Sequence, residues 1–157
     1  MISIFLTIFS LLFTLALPRP KLPTPKGRKT VGTTKIYLEE NLIAKVWYPS
    51  EEYYKRKSII DFYMLPNFVK HFAKVIKFYT PFVSHFQFVK TSSFCDIPLS
   101  NQFLKYPIII FSHDLYCLPE LYTLYCEFFA SNGYIVFGIY HTGKIDSFLI
   151  NFNWLIF

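Results

Sequence analysis

The spacing of hydrophobic and polar positions changes several times along the chain, and each change marks an element. Across residues 33–48 the two kinds alternate: Ile36 and Leu38 share one face, Lys35 and Tyr37 the other. Glu39, Glu40 and Asn41 interrupt the alternation. Residues 42–48 then return as a second strand, closed by Pro49-Ser50. This predicts a β-hairpin. Residues 67–80 shift to helical spacing, with Phe68, Val69, Phe72, Val75, Ile76 and Tyr79 on one face. Lys70, His71, Lys74 and Lys77 fall opposite, and Pro81 ends the pattern. Such a basic amphipathic helix either packs on a sheet with its lysines in water or lies on a lipid surface.

The continuous run Ile108-Ile109-Ile110-Phe111 stops at Ser112-His113-Asp114 and reads as a strand buried on both faces. Pro119 suits a first helical turn. Leu118, Leu121, Tyr122, Tyr125, Phe128 and Phe129 line one helical face; Glu120, Thr123, Glu127 and Ser131 line the other. Asn132-Gly133 is a helix stop. Residues 134–139 form the next buried strand, which runs out at Tyr140-His141-Thr142-Gly143. Strand, helix and strand make a βαβ unit whose right-handed crossover sets the strands parallel. The predicted class is α/β: an antiparallel hairpin leading into a partly parallel sheet. In such sheets ligands bind beyond the carboxyl ends of the strands, so the loop at 112–116 is the place to look for chemistry.

The organisation follows. Residues 1–17 are almost wholly apolar, and short of the ~20 residues that a membrane helix needs. They read as a signal-peptide core or an uncleaved anchor, so the chain is expected to be secreted, with membrane association as the alternative. Residues 18–30 are a linker rich in Pro and Lys. Residues 31–157 hold one domain. The apolar end Trp154-Leu155-Ile156-Phe157 does not look like the close of a finished domain.

Composition narrows the function classes. Hydrophobic residues make up 53% of the chain and aromatics 21%, which excludes disorder and leaves apolar surface for lipid or a partner segment. The net charge of +6 suits an anionic surface. Without zinc-finger spacing or an Arg-rich helix it does not point to nucleic acid. Cys95, Cys117 and Cys126 are too few and too irregular for a disulfide framework and read as free or buried thiols. His71 and His85 lack metal-ligand company, so neither a metal nor another cofactor is expected.

One resemblance rests on particular residues. Lys105-Tyr-Pro-Ile-Ile-Ile-Phe-Ser-His-Asp-Leu-Tyr116, Leu121-Tyr122, Phe129-Ala-Ser-Asn-Gly-Tyr-Ile-Val136 and Tyr140-His141 together resemble the platelet-activating factor acetylhydrolase family. Upstream, Lys45-Val-Trp-Tyr-Pro-Ser50 and Leu65-Pro66-Asn67 are similar to that family's strand end and its membrane-facing region. The resemblance implies an α/β-hydrolase fold, here its N-terminal half, and hydrolysis of the short sn-2 acyl chain of a phospholipid at a membrane or lipoprotein surface. It implies a Ser–His–Asp triad without metal, the Ser lying in Gly-x-Ser-x-Gly at a strand-to-helix elbow. None of the five glycines of this chain brackets a serine in that way. What carries over is Leu115, whose backbone N–H matches the family's oxyanion donor. Pocket candidates are His113 and His141; lipid-surface candidates are Phe68, Phe72, Ile76, Lys70, Lys74 and Lys77. Asp114 and Tyr116 stand where the family has glycines. The alternative is a non-catalytic lipid-binding protein of the same fold.

Overall fold

The computed structural model describes residues 8–9, 12, 22–39, 42–51, 60–62, 69–70, 73, 77, 84–114 and 117–140. Their centre is the predicted hairpin. β1 (Thr30–Glu39) and β2 (Leu42–Ser50) pair antiparallel, with Thr33 opposite Trp47 and Lys35 opposite Lys45. Two short strands extend one side: β3 (Ile60–Phe62) pairs antiparallel with β4 (Lys90–Cys95), which runs parallel to β1. On the other side come β5 (Ile108–Ser112) and β6 (Ile135–Tyr140), parallel to each other, with β6 antiparallel to β2. The six-stranded order is β3-β4-β1-β2-β6-β5. The expected mixed sheet with a βαβ unit is therefore present.

The crossover between β5 and β6 starts as a 3-10 turn, Pro119–Tyr122, and continues as helix α1 (Thr123–Ser131). Its end is a Schellman motif. The Tyr134 N–H donates to the Phe129 carbonyl at 3.2 Å and the Gly133 N–H to that of Ala130 at 3.0 Å. Gly133 takes φ of 94°, where a side chain would be strained. The Phe129 and Tyr134 rings meet edge to face with centroids 5.9 Å apart, the apolar contact that usually accompanies this motif.

The face of α1 that packs on the sheet is not the aromatic one. Thr123, Cys126, Glu127, Ala130 and Ser131 are buried, whereas Tyr125, Phe128 and Phe129 are 69%, 48% and 37% exposed. The cause is the junction. A 3-10 turn advances 120° per residue and an α-helix 100°, so across four residues the apolar stripe drifts by about 80° from a uniform helical reading. Small residues on the inner face let α1 approach Trp47, which is fully buried with Val31, Cys126, Ala130 and Val136. Burial pushes the Cys126 thiol up to about 12, so it behaves as a small apolar side chain. Glu127, also buried, accepts the Ser92 N–H at 2.8 Å and the Ser93 hydroxyl at 2.6 Å, and so joins α1 to β4.

β5 differs from expectation in a second way. Ile109 and Phe111 are half-buried, with the Phe111 ring 4.7 Å from that of Tyr122, but Ile108 and Ile110 are 60% and 74% exposed. They continue an apolar face formed by Ala44, Val46 and Tyr48 with Ile36, Ile135, Phe137 and Ile139. An apolar run reports that both faces are apolar, not that both are covered among the described residues.

Gly138 sets how closely the crossover sits. It faces Lys45 across the strands, and a Cβ there would lie 2.7 Å from Pro119 Cβ and 3.0 Å from the Trp47 ring. Gly138→Ala is expected to cost about 1–3 kcal/mol by overpacking, measured by urea unfolding. Tyr125→Ser, on the outer face of α1, is expected to change stability by less than about 0.5 kcal/mol.

Candidate active site

The parallel register of β5 and β6 brings Ser112 level with Ile139, so both strands end together at one edge of the sheet. The loop after β5 and the residues after Tyr140 leave from that edge, as an α/β sheet requires of a site. The three polar residues at the end of β5 diverge. Ser112 and Asp114 are exposed, while His113 is buried at 8%. Successive side chains at a strand end point to opposite sides, so this trio does not assemble a triad among itself.

The backbone shapes the loop. The Asp114 carbonyl oxygen accepts the Cys117 N–H at 3.1 Å, closing a four-residue turn. The same oxygen lies 3.0 Å from His113 Nδ1. A carbonyl only accepts, so His113 Nδ1 is the donor in this contact. This is the backbone-tied histidine that a structural role predicts. The backbone at Asp114 lies outside the left-handed region, so the freedom of a glycine is not needed at that position. Below the loop, the Tyr122 phenol is pushed up from its ordinary value by burial, then by its neighbour Cys117. Leu115 and His141 lie outside the described residues.

Beside this edge is a charged cluster that the sequence reading did not find. Glu120 is 3% exposed and accepts the Tyr140 hydroxyl. Lys35 Nζ is 3.9 Å from its Oε1. Lys45 is 4% exposed, with Nζ 5.3 Å from the Trp47 ring centroid. Burial alone would raise the Glu120 pKa. Lys45, then Lys35, then the Tyr140 hydroxyl outweigh it and hold the carboxyl below its ordinary 4.5. The carboxylate therefore fastens the start of the crossover, just after the loop, to the last residue of β6. Helical spacing put Glu120 on the polar face of a surface helix. The missed signal was the pair Lys35–Lys45: a like-charged pair directly opposite in a hairpin needs an anion between them.

Of the lipid-surface candidates, Lys70 and Lys77 are described and both are exposed. Phe68, Phe72, Ile76 and Lys74 lie outside the described residues. Val69 and Ala73 are buried against Leu118 and Tyr140, so this part of the segment packs on the protein. Lys77 has φ of 53°, so no unbroken α-helix runs through to residue 80 as the spacing predicted. Among the described residues no three His, Cys, Asp or Glu side chains could hold a metal ion, and no helix is long and apolar enough to cross a membrane. Cys95, Cys117 and Cys126 form no disulfide among the described residues.

The family model described as "Platelet-activating factor acetylhydrolase, isoform II" matches residues 16–150. Among solved structures, a ferulic acid esterase from Streptomyces cinnamoneus is similar in fold, with a TM-score of 0.55 at 17% identity. The alignment covers 79% of this chain and 37% of that one, so this chain spans little more than a third of the esterase. No curated protein matches the chain.

The cluster has a pH signature. Because the folded pKa of Glu120 is lowered, its stabilisation is complete above its unfolded value near 4.5 and is lost as pH falls through the folded value. Glu120→Gln is expected to cost roughly 3 kcal/mol at neutral pH. In urea unfolding, the gap between the two proteins should narrow as pH falls below about 4.5. A gap that stays constant with pH would mean that the carboxyl is not ionised in the fold.

Proposed function

The chain belongs to the platelet-activating factor acetylhydrolase, isoform II, family, and from that premise we propose that it is the N-terminal part of a serine ester hydrolase. Its reaction is release of the short sn-2 acyl chain of a phospholipid. The observation that carries this reading is the βαβ unit, whose loop at 112–118 leaves the carboxyl edge of two parallel strands in register. There the Leu115 N–H would serve as one of two donors to the oxyanion, each worth on the order of 3 kcal/mol. The other would come from beside the nucleophile, in a Gly-x-Ser-x-Gly elbow that these 157 residues do not contain. His113 and His141 would line the acyl pocket rather than act as base. Entry to the secretory pathway through residues 1–17 fits a substrate on a membrane or lipoprotein surface.

A non-catalytic lipid-surface role draws support from exposed Lys70 and Lys77 beside the buried Val69 and Ala73. Liposome flotation separates the readings. Binding that is lost when Lys70, Lys74 and Lys77 become Glu, with no esterase in any longer product of the gene, favours the lipid-binding role.

Residues 17–157 are expected to hydrolyse no short-acyl ester. Hydrolysis blocked by a serine-directed fluorophosphonate would overturn this. In a product that continues past Phe157 and supplies Gly-x-Ser-x-Gly, Leu115→Pro removes the donor N–H. It should lower kcat about 10²–10³-fold with KM nearly unchanged. An unchanged kcat would exclude Leu115 as the donor.

A further inference from the structure

The edge of the sheet opposite the candidate active site carries a cleft of about 360 Å³, lined by Thr24, Gly27, Arg28, Lys29, Thr91 and Ser92 among others. β1 runs antiparallel to β2, and β2 antiparallel to β6, so the start of β1 lies at the amino edge, away from Ser112. The volume is near the lower end of the roughly 300–1,000 Å³ typical of small-molecule sites. The described lining includes Arg28, Lys29, Thr24, Thr30, Thr91 and Ser92, and no acidic residue.

The linker is held in place here. A Cβ at Gly27 would collide with the backbone and hydroxyl of Ser131, so only glycine lets the strap lie against the end of α1. The Lys29 N–H donates to the Ser131 carbonyl at 3.1 Å. The strap thus presents Arg28 and Lys29 from a fixed backbone. Lys29 Nζ is 3.4 Å from Glu51, which offsets its charge. Glu127 is nearby but is engaged by the Ser92 N–H and the Ser93 hydroxyl. Arg28 is exposed and makes no ion pair or hydrogen bond among the described residues.

We propose that this cleft binds a phosphate group, with Arg28 as its principal cation and the hydroxyls of Thr30, Thr91 and Ser92 as supporting donors. A guanidinium offers two parallel N–H groups to two oxygens of one anion, and a tetrahedral phosphate keeps further oxygens for hydroxyl donors. The volume exceeds that of bare phosphate, so a phosphorylated small molecule or an exposed lipid phosphate fits the same chemistry. The site is separate from the candidate active site and does not rest on the proposed esterase activity.

The test uses the full chain, with inorganic phosphate and glycerol 3-phosphate titrated by calorimetry and phosphatidate-containing phosphatidylcholine vesicles tested by flotation. Saturable phosphate binding is expected, weakened about tenfold or more by Arg28→Gln and unchanged within about twofold by the control Lys105→Gln. Flotation that also depends on Arg28 identifies a lipid source; phosphate binding without Arg28-dependent flotation identifies a soluble one. Absence of saturable phosphate binding overturns the proposal. So does equal binding by wild type and Arg28→Gln, or an equal loss in Lys105→Gln.

Discussion

A carboxylate buried under the crossover holds the two ends of the βαβ unit together. Glu120 enters the sheet face because Gly138 has no side chain to keep Pro119 away. Once there it meets the Tyr140 hydroxyl and the Lys35 and Lys45 ammonium groups. Removing one partner from such a group leaves an uncompensated charge in a poorly solvated place, which is why the group acts as a unit. The lysines come from the hairpin, the tyrosine from the end of β6 and the carboxylate from the segment that follows the loop. The start of the crossover is thereby tied to three strands of the sheet.

The same face of the sheet explains the helix. Trp47 occupies the volume under α1, so the residues above it must be small or polar with partners. Cys126 and Ala130 meet the first condition, and Glu127, through Ser92 and Ser93, the second. The aromatic side chains of α1 are displaced outward as a consequence. The opposite face is apolar from Ile36 through Val46, Phe137 and Ile139 to the exposed Ile108 and Ile110. A sheet with buried charges on its inner face and an apolar outer one holds its two sides by different physics. Only the second obeys simple hydrophobic counting.

This asymmetry decides what the sequence could disclose. The hairpin was legible because alternation and turn residues are local, and the parallel pair because a right-handed crossover leaves little choice. The Schellman end of α1 was legible in Asn132-Gly133 for the same reason. The inner face of α1 was not, since its phase depends on where a 3-10 turn gives way to an α-helix, and nothing local in Leu121-Tyr122-Thr123 marks that junction. Glu120 was hidden by the rule that charged residues belong in water. That rule fails only when cations wait inside, and they come from Lys35 and Lys45, far back in the chain. At the candidate site itself, Ser112, His113 and Asp114 were placed correctly at the strand end. Leu115 and His141 lie outside the described residues.

Asp114 tests how far the loop departs from one built on glycine. Two objections to an acidic residue beside an oxyanion are conformational and electrostatic. The first does not apply, because the backbone there is not left-handed and its carbonyl already organises the turn through the Cys117 N–H and His113 Nδ1. The second is a matter of magnitude. Asp114 is exposed, and even at about 4 Å two unit charges in bulk water repel by only roughly 1 kcal/mol. Salt reduces this further. An oxyanion donor aimed correctly contributes on the order of 3 kcal/mol. Were Leu115 the donor, a correctly aimed N–H would therefore outweigh the charge of an exposed carboxylate beside it.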